Sequence, residues 1–352
     1  METLEHLHPW LELMNRPAFC VKDGIVVAAN AAAKSCMLQV GTHIREIVTD
    51  HKEEYESFSK GCLYLTISFL GTLCEASVTR TEDYDIFTLK QDTDNIQLQA
   101  LALAAQQLRI PLSNTMTVAD RLIESLDTKD ASIQQQASQV SRGLFQLFRI
   151  IANMSDACSY HRSAPSGMQT VDLTALIREV IEKIQAAGTE IGISLQYHDL
   201  KTPVFGLANP EKIERAIYNL LSNAIKFSHE NSAVEASLNR NGNTLSFSVS
   251  NTANDLNTVS FWNNYQRTPT VEDSRYGLGL GLELISAVAT AHKGTVLVDH
   301  PSQNQIRVTM TISIMNDKSL SLQSPILRIG DYAGGRDKGL LELSEILPPE
   351  FY

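Results

Sequence analysis

Residues 219–228 read NLLSNAIKFS, and the apolar spacing around them predicts a helix over residues 209–227. Asn219, Asn223 and Lys226 are separated by four and then three residues, so they share one face of that helix. Two amides and an ammonium group suit a magnesium–phosphate group, with an amide oxygen on the metal and the lysine on the phosphate. The alternative is that these three polar residues form a solvent-exposed helix face without a ligand.

A glycine repeat lies downstream of this helix. Gly277, Gly279 and Gly281 alternate with leucines and open a second apolar, helix-prone segment. Glycines at the start of a helix let backbone N–H groups approach a phosphate closely. The repeat does not follow a buried parallel strand, so it does not indicate a dinucleotide-binding unit.

These motifs follow one another as they do in a known family. In order and spacing, four segments resemble the asparagine box, phenylalanine box, second glycine box and closing segment of histidine-kinase ATPase domains: NLLSNAIKFS (219–228), FWNNYQR (261–267), YGLGLGLELI (276–285) and HKGTVLV (292–298). Upstream, QQLRIPLS (106–113) sits where those kinases carry the phosphoacceptor motif. Over residues 92–315 the chain therefore resembles a two-component sensor histidine kinase.

The resemblance implies ATP and Mg²⁺ as cofactors. Asn223 would hold the magnesium ion, Lys226 would contact phosphate and Asn219 would line the same edge. Relatives of the gyrase and chaperone type have, at the position of Asn219, a glutamate that activates water for ATP hydrolysis. An asparagine there favours phosphotransfer or simple nucleotide binding over hydrolysis. Asn251 stands where the family has an adenine-reading aspartate. Its amide oxygen can still accept a hydrogen bond from the adenine amino group, without charge assistance.

The other ATP contacts that the resemblance implies fall on the glycine repeat and the segment before it. Gly277, Gly279 and Gly281 would shape the phosphate loop. Residues 261–276 would form the lid over the nucleotide, and Arg267 would lie on that lid.

The phosphoacceptor motif departs from the family at its reactive positions. Gln106 replaces the histidine that attacks the γ-phosphate, and an amide is not a nucleophile. Gln107 replaces the neighbouring acidic residue, and Ile110 replaces the polar residue that positions water for phosphatase activity. The structural part of the motif is retained at Leu108, Arg109, Pro111 and Leu112.

Two functions are compatible with these residues. The first is a degenerate kinase homologue that senses a signal, binds Mg-ATP and signals by conformation or by partner binding. The second is an active sensor kinase with an unconventional phosphoacceptor, and His161 is the histidine nearest to the helical region in sequence. The first is favoured because the neighbouring hydroxyls have no adjacent base: Ser113, Thr115 and Thr117. The partners implied are a second copy of the chain and a response regulator or other signalling protein.

The fold class is α+β, with several domains. Five segments are predicted: a PAS-like sensory domain (1–91), a dimerisation helical hairpin that forms a four-helix bundle (92–160), a linker (161–170), an α/β sandwich ATP-binding domain (171–315) and a C-terminal extension (316–352). The first resembles a PAS domain through PAFCVKDGIVVAANAAA (17–33) and is either a ligand sensor or a dimerising module without a ligand.

Local patterns predict the elements of the first and fourth segments. In the first, a hairpin over 18–29 and strands over 61–70, 72–79 and 84–89 are expected. In the fourth, Asn209 is expected to cap a helix with Pro210 at its first position, and strand pairs are expected at 234–238 with 245–249 and at 295–298 with 305–314. The resemblance to the family implies a structural role for His292.

The remaining segments show further patterns. Apolar residues at heptad spacing run along both helices of the hairpin. The apolar stripe that they form is too long for one partner helix to cover. The ATP-binding domain is expected to begin with a helix over residues 171–187. In the extension, leucines at helical spacing predict a short amphipathic helix stopped by Pro348 and Pro349, which docks on the ATP-binding domain or on a partner.

Composition excludes several classes of protein. The chain has 352 residues, a formal net charge of -11 and no cluster of basic residues, so direct nucleic-acid binding is not expected. No apolar run is long enough to span a membrane and the N-terminus lacks a secretion signal, which predicts a cytoplasmic protein. The five cysteines have no metal-ligand spacing. Buried reduced thiols are expected, with a redox or metal-sensing role as the alternative.

Overall fold

The computed structural model describes residues 9–14, 16–69, 72–90, 92–125, 130–162, 167–190, 192, 194–228, 232–252, 280–302, 304–314, 333 and 335–352. The architecture is mixed α+β, with a ten-stranded sheet, a two-stranded sheet and a long helical hairpin. Within those ranges, no helix combines the length and the apolar character needed to cross a lipid bilayer.

The N-terminal unit contains the predicted hairpin and the three later strands. The strands are β1 (Ala18–Lys22), β2 (Ile25–Ala29), β3 (Gly61–Phe69), β4 (Thr72–Arg80) and β5 (Asp85–Leu89). Between β2 and β3 lie the short helices α1 (Ala31–Ser35), α2 (Ile44–Ile47) and α3 (Lys52–Ser57). Asp23 and Gly24 both have positive φ, at 51° and 76°, as the tight turn between β1 and β2 requires. The strands predicted here are confirmed.

Two long helices follow, as the heptad spacing predicts. They are α4 (Asp92–Ser125) and α5 (Ala131–Arg162), which pack against each other. Met116 and Phe148 are buried between them. In the single chain, however, several seam residues stay exposed: Leu101, Leu108, Leu122, Ile133, Val140 and Leu147. One hairpin therefore covers only part of its own apolar stripe.

The following α/β unit layers helices on a sheet. Its strands are β6 (Gln169–Asp172), β7 (Ser194–His198), β8 (Phe205–Ala208), β9 (Ala233–Asn241), β10 (Thr244–Thr252), β11 (Val296–Asp299) and β12 (Gln305–Ser313). Its helices are α6 (Leu173–Glu190), α7 (Pro210–Lys226) and α8 (Leu280–Ala291). Apolar residues from the sheet and all three helices form one buried core. The predicted hairpins β9–β10 and β11–β12 are confirmed by their antiparallel pairing.

Two boundaries at the start of this unit differ by about two residues from the predicted ones. The linker over 161–170 is shorter, because α5 continues to Arg162 and β6 begins at Gln169. The helix expected from residue 171 begins at Leu173, because the side chain of Asp172 accepts a hydrogen bond from the Ala175 N–H (3.1 Å) and so caps α6. Strand β6 pairs with β8, which the sequence did not predict either. Strands of four residues are too short to show a recognisable alternation.

The sheets of the N-terminal unit and the α/β unit are continuous. Strand β3 pairs with β11, so the strand order runs β2-β1-β5-β4-β3-β11-β12-β10-β9-β7. Gly61 permits this approach: its φ is 107°, and a Cβ there would collide with the backbone oxygen of Val298. Lys90 also forms an ion pair with Glu283 at the start of α8. The N-terminal unit thus contacts the helix that follows the glycine repeat.

The last residues of the chain pack against the rest of the same chain. We call residues 335–352 the tail segment. It contains α9 (Lys338–Glu342), which Asp337 caps, and a 3₁₀ turn at Pro349–Phe351. Its residues contact α5, α6 and α7. A short helix is present as predicted, but it ends at Glu342 and not at Pro348. It docks on the α/β unit, which was one of the two alternatives, and also on the hairpin, which was not predicted.

Candidate functional site

Helix α7 is fixed at its N-terminal end by the residues that the sequence predicts. The Asn209 side chain accepts a hydrogen bond from the Lys212 N–H (3.0 Å), and Pro210 occupies the first turn. The Asn209 N–H in turn donates to Nε2 of His292 (3.1 Å), whose Nδ1 lies 2.7 Å from the Val288 carbonyl. Burial lowers the pKa of His292, so the ring is neutral at neutral pH. His292 therefore has the structural role expected of it.

The two asparagines of α7 meet the glycine repeat. Asn219 is buried, and its Nδ2 donates to the Arg215 carbonyl (2.9 Å). A Cβ placed on Gly281 would lie 3.2 Å from Asn223 Nδ2 and 3.4 Å from Asn219 Oδ1. Because Gly281 has no Cβ, the start of α8 packs closely against both amides. The alternative of a solvated helix face is wrong, because Asn219 is only 1% exposed.

Asn251 lies at the end of β10 and carries an unsatisfied amide. Its side chain is buried, and within the described part of the chain its Nδ2 has no hydrogen-bond partner. A buried donor left unpaired costs about 1–3 kcal/mol. Such a group is expected where a ligand supplies the missing acceptor.

Lys226, the third polar residue of α7, is engaged by the tail segment. Its Nζ lies 2.6 Å from Oε2 of Glu345, and its side chain is only 12% exposed. Nothing in the sequence signals this contact, because Glu345 lies in a segment without a recognisable motif. The structure therefore adds Glu345 to the neighbourhood of the candidate site.

A buried charge cluster lies beside α7 and involves the same segment. Glu342 is fully buried, and its two oxygens accept hydrogen bonds from Arg149 of α5 (3.2 Å) and Arg215 of α7 (3.3 Å). Arg149 also donates to the Ser222 hydroxyl (2.9 Å), and Arg215 to Asn153 Oδ1 (2.7 Å). These pairs connect the hairpin, the tail segment and α7. Sequence analysis missed all of them.

The other predicted site residues are placed as follows. Gln106 and Gln107 are exposed on α4, next to the buried Ala105. The predictions for Arg267, Gly277, Gly279 and the lid over 261–276 lie outside the described residues. Among the residues that the structure describes, no cluster of three or more His, Cys, Asp or Glu side chains forms a metal site. The predicted magnesium site therefore depends on the side-chain oxygen of Asn223.

Residues 208–316 match the family model described as histidine kinase-, DNA gyrase B- and HSP90-like ATPase. This segment is of the histidine kinase-like ATPase type. The match spans α7, β10, α8 and β12, and so includes Asn219, Asn223, Gly281 and Asn251.

Curated relatives of the histidine kinase-like ATPase segment extend the similarity upstream. The chain is 28% identical over 233 residues to the adaptive-response sensory kinase SasA of Crocosphaera subtropica, covering 61% of this chain and 60% of that protein. It is 26% identical over 212 residues to a bacteriophytochrome of Pseudomonas aeruginosa, covering 59% of this chain and 28% of that protein. The chain thus spans less than two thirds of the length of these relatives. The similarity to these sensory proteins therefore extends beyond the ATPase segment.

Among solved structures, full-length ShkA in complex with AMPPNP is similar at 20% identity, with a TM-score of 0.48. The alignment covers 62% of this chain and 46% of ShkA.

Proposed function

We propose that this protein is a cytoplasmic signal-transduction protein that binds Mg-ATP in its histidine kinase-like ATPase segment and lacks histidine phosphotransfer at Gln106. A PAS-like N-terminal unit senses a signal, and the hairpin over 92–160 joins two copies. The output is a change of conformation or of partner binding, with a response regulator or another signalling protein as the partner.

The observation that carries this proposal is the close contact of Gly281 with the amides of Asn219 and Asn223. The asparagine helix and the glycine repeat are far apart in sequence, yet a Cβ on Gly281 would touch both Asn219 and Asn223. A phosphate group needs such close access to backbone N–H groups at the start of a helix. The residues present therefore fit a magnesium–nucleotide group, and the unpaired Asn251 amide fits a base with an acceptor on its edge.

Each site residue has one task in this proposal. The Asn223 side-chain oxygen binds magnesium, because this ion prefers oxygen ligands and usually keeps water and phosphate oxygens as its other ligands. Lys226 neutralises phosphate charge. The Asn251 amide both accepts from and donates to the adenine edge. When bound, ATP supplies binding energy, and no group on this chain is required to react with it.

The pairing of two copies rests on the uncovered stripe of the hairpin. Leu108 and Leu122 on α4 and Val140 and Leu147 on α5 are at least half exposed in the single chain. Side chains with this heptad spacing are normally buried by a partner helix. A second hairpin of the same sequence covers both stripes at once and forms a four-helix bundle.

The absence of phosphotransfer rests on the groups near Gln106. Its side chain is an exposed amide, which cannot attack phosphorus. The Thr115 hydroxyl donates to the Pro111 carbonyl (2.9 Å), and the Thr117 hydroxyl donates to the Ser113 carbonyl (3.0 Å). Both hydroxyls are therefore engaged by the helix backbone, which favours a degenerate kinase over an active kinase with a hydroxyl acceptor.

Incubation of the protein with γ-labelled Mg-ATP separates the two hypotheses. We expect bound nucleotide and no covalent label on the chain, because Gln106 offers no nucleophile. Label that is labile in acid and stable in alkali would indicate a phosphohistidine and support the active kinase instead. A His161→Gln variant, tested in parallel, would then lose the label if His161 were the acceptor.

A further inference from the structure

Glu345 of the tail segment is shared between the hairpin and the candidate nucleotide site. Its Oε2 lies 2.6 Å from Lys226 Nζ on α7 and 3.5 Å from Arg149 Nη1 on α5. The same oxygen therefore faces a cation on each side. Lys226 is the residue of α7 whose charge suits a phosphate.

The tail segment does not need Glu345 to stay docked. Leu341, Leu343 and Leu347 are buried, and Glu342 is held between two arginines. Arg142 and Gln146 of α5 also donate hydrogen bonds to the Ser344 carbonyl, at 3.1 and 2.9 Å. By contrast, the Glu345 side chain is 29% exposed. It can leave Lys226 while the segment around it remains in place.

Glu345 carries a negative charge in this position. Burial alone would raise the pKa of its carboxyl group, but the charges of Arg149 and Lys226 together hold that pKa below its usual value. At neutral pH a carboxylate therefore lies against Lys226. Nucleotide phosphates and this carboxylate have charge of the same sign and compete for one ammonium group.

We propose that Glu345 is a built-in competitor of the nucleotide phosphates for Lys226, and that nucleotide binding transfers Glu345 from Lys226 to Arg149 alone. This inference rests on the proposed function, since it requires Mg-ATP at Lys226. The tail segment then weakens nucleotide binding. It also transmits the presence of the nucleotide to the hairpin, because a nucleotide in the site changes the contacts of Arg149 on α5.

The test is the affinity of the full chain for Mg-AMPPNP, measured by calorimetry. Replacing Glu345 by glutamine removes the charge and keeps the size of the side chain. We expect Glu345→Gln to bind about two- to fivefold more tightly than wild type, as for the loss of a partly exposed competing ion pair. The matched control is Glu350→Gln, an exposed glutamate of the same segment, which we expect to bind as wild type does.

A second pair of variants separates competition from a change in the tail segment's structure. In a Lys226→Met background, Glu345→Gln should leave the affinity unchanged, because the shared ammonium is gone. Equal affinity of wild type and Glu345→Gln would overturn the competition, and so would a gain that persists in the Lys226→Met background. If neither wild type nor Glu345→Gln binds Mg-AMPPNP, the proposed function itself fails and the competition falls with it.

Discussion

Replacing Glu342 by alanine is expected to lower the free energy of unfolding by about 3–5 kcal/mol, because it removes one partner of a buried ion pair and leaves the other charges buried. Glu342 has no exposed side-chain surface, and Arg149 and Arg215 are also almost fully buried. Truncation leaves a cavity between two guanidinium groups that water reaches poorly. The effect exceeds that of an ordinary surface substitution by several kcal/mol.

Chemical denaturation followed by circular dichroism measures this loss, with hydrogen exchange to locate it. Exchange should accelerate in α5, α7 and the tail segment, which the cluster joins. Glu350→Ala is the control, since Glu350 is exposed and should change stability by less than about 0.5 kcal/mol. A loss below 1 kcal/mol for Glu342→Ala would mean that the cluster does not hold these elements together.

Replacing Lys226 by alanine is expected to weaken Mg-ATP binding by about ten- to a hundredfold, the range for losing a hydrogen bond to a charged group. The loss arises because the phosphate no longer has the ammonium group of Lys226 as its cation. Asn251→Asp should weaken binding less than Lys226→Ala does, because a carboxylate accepts a stronger hydrogen bond from the adenine amino group.

Calorimetric titration with Mg-ATP compares these variants. Lys183→Ala is the matched control, because Lys183 lies exposed on α6 in an ion pair with Glu179. This variant should bind nucleotide as wild type does. Equal affinities of wild type and Lys226→Ala would refute the phosphate contact. Unfolding of each variant is followed in parallel, so that a loss of binding is not confused with a loss of structure.

The sequence predicted those parts of the fold whose signals are local. Helix α7 shows this, since Asn209, Pro210 and the apolar spacing specify its start and its buried face. The β9–β10 turn is another case, because Gly242 adopts a positive φ of 56° between two alternating strands. The meeting of Asn219 and Asn223 with Gly281 was expected only through the resemblance to a family, since no local rule brings residues so distant together.

Contacts between distant segments were not predictable from the sequence. The sequence of strand β3 does not indicate which strand will pair with its second edge. Its pairing with β11 therefore has no local signal beyond Gly61. The carboxylates of Glu342 and Glu345 likewise look like surface charges of an amphipathic helix. Their partners Arg149, Arg215 and Lys226 lie more than a hundred residues away. Tertiary packing decides such pairs.

The most direct test of the central claim is titration of the wild-type protein with Mg-ATP and, separately, with ATP in the presence of a magnesium chelator. We predict one saturable site per chain whose affinity falls when magnesium is removed, and a loss of that site in Asn223→Ala. The geometry at Gly281 supports this result, because both asparagine amides lie against the start of α8, where backbone N–H groups can bind a phosphate. Absence of saturable binding to wild type would contradict a nucleotide site at Asn219, Asn223 and Gly281.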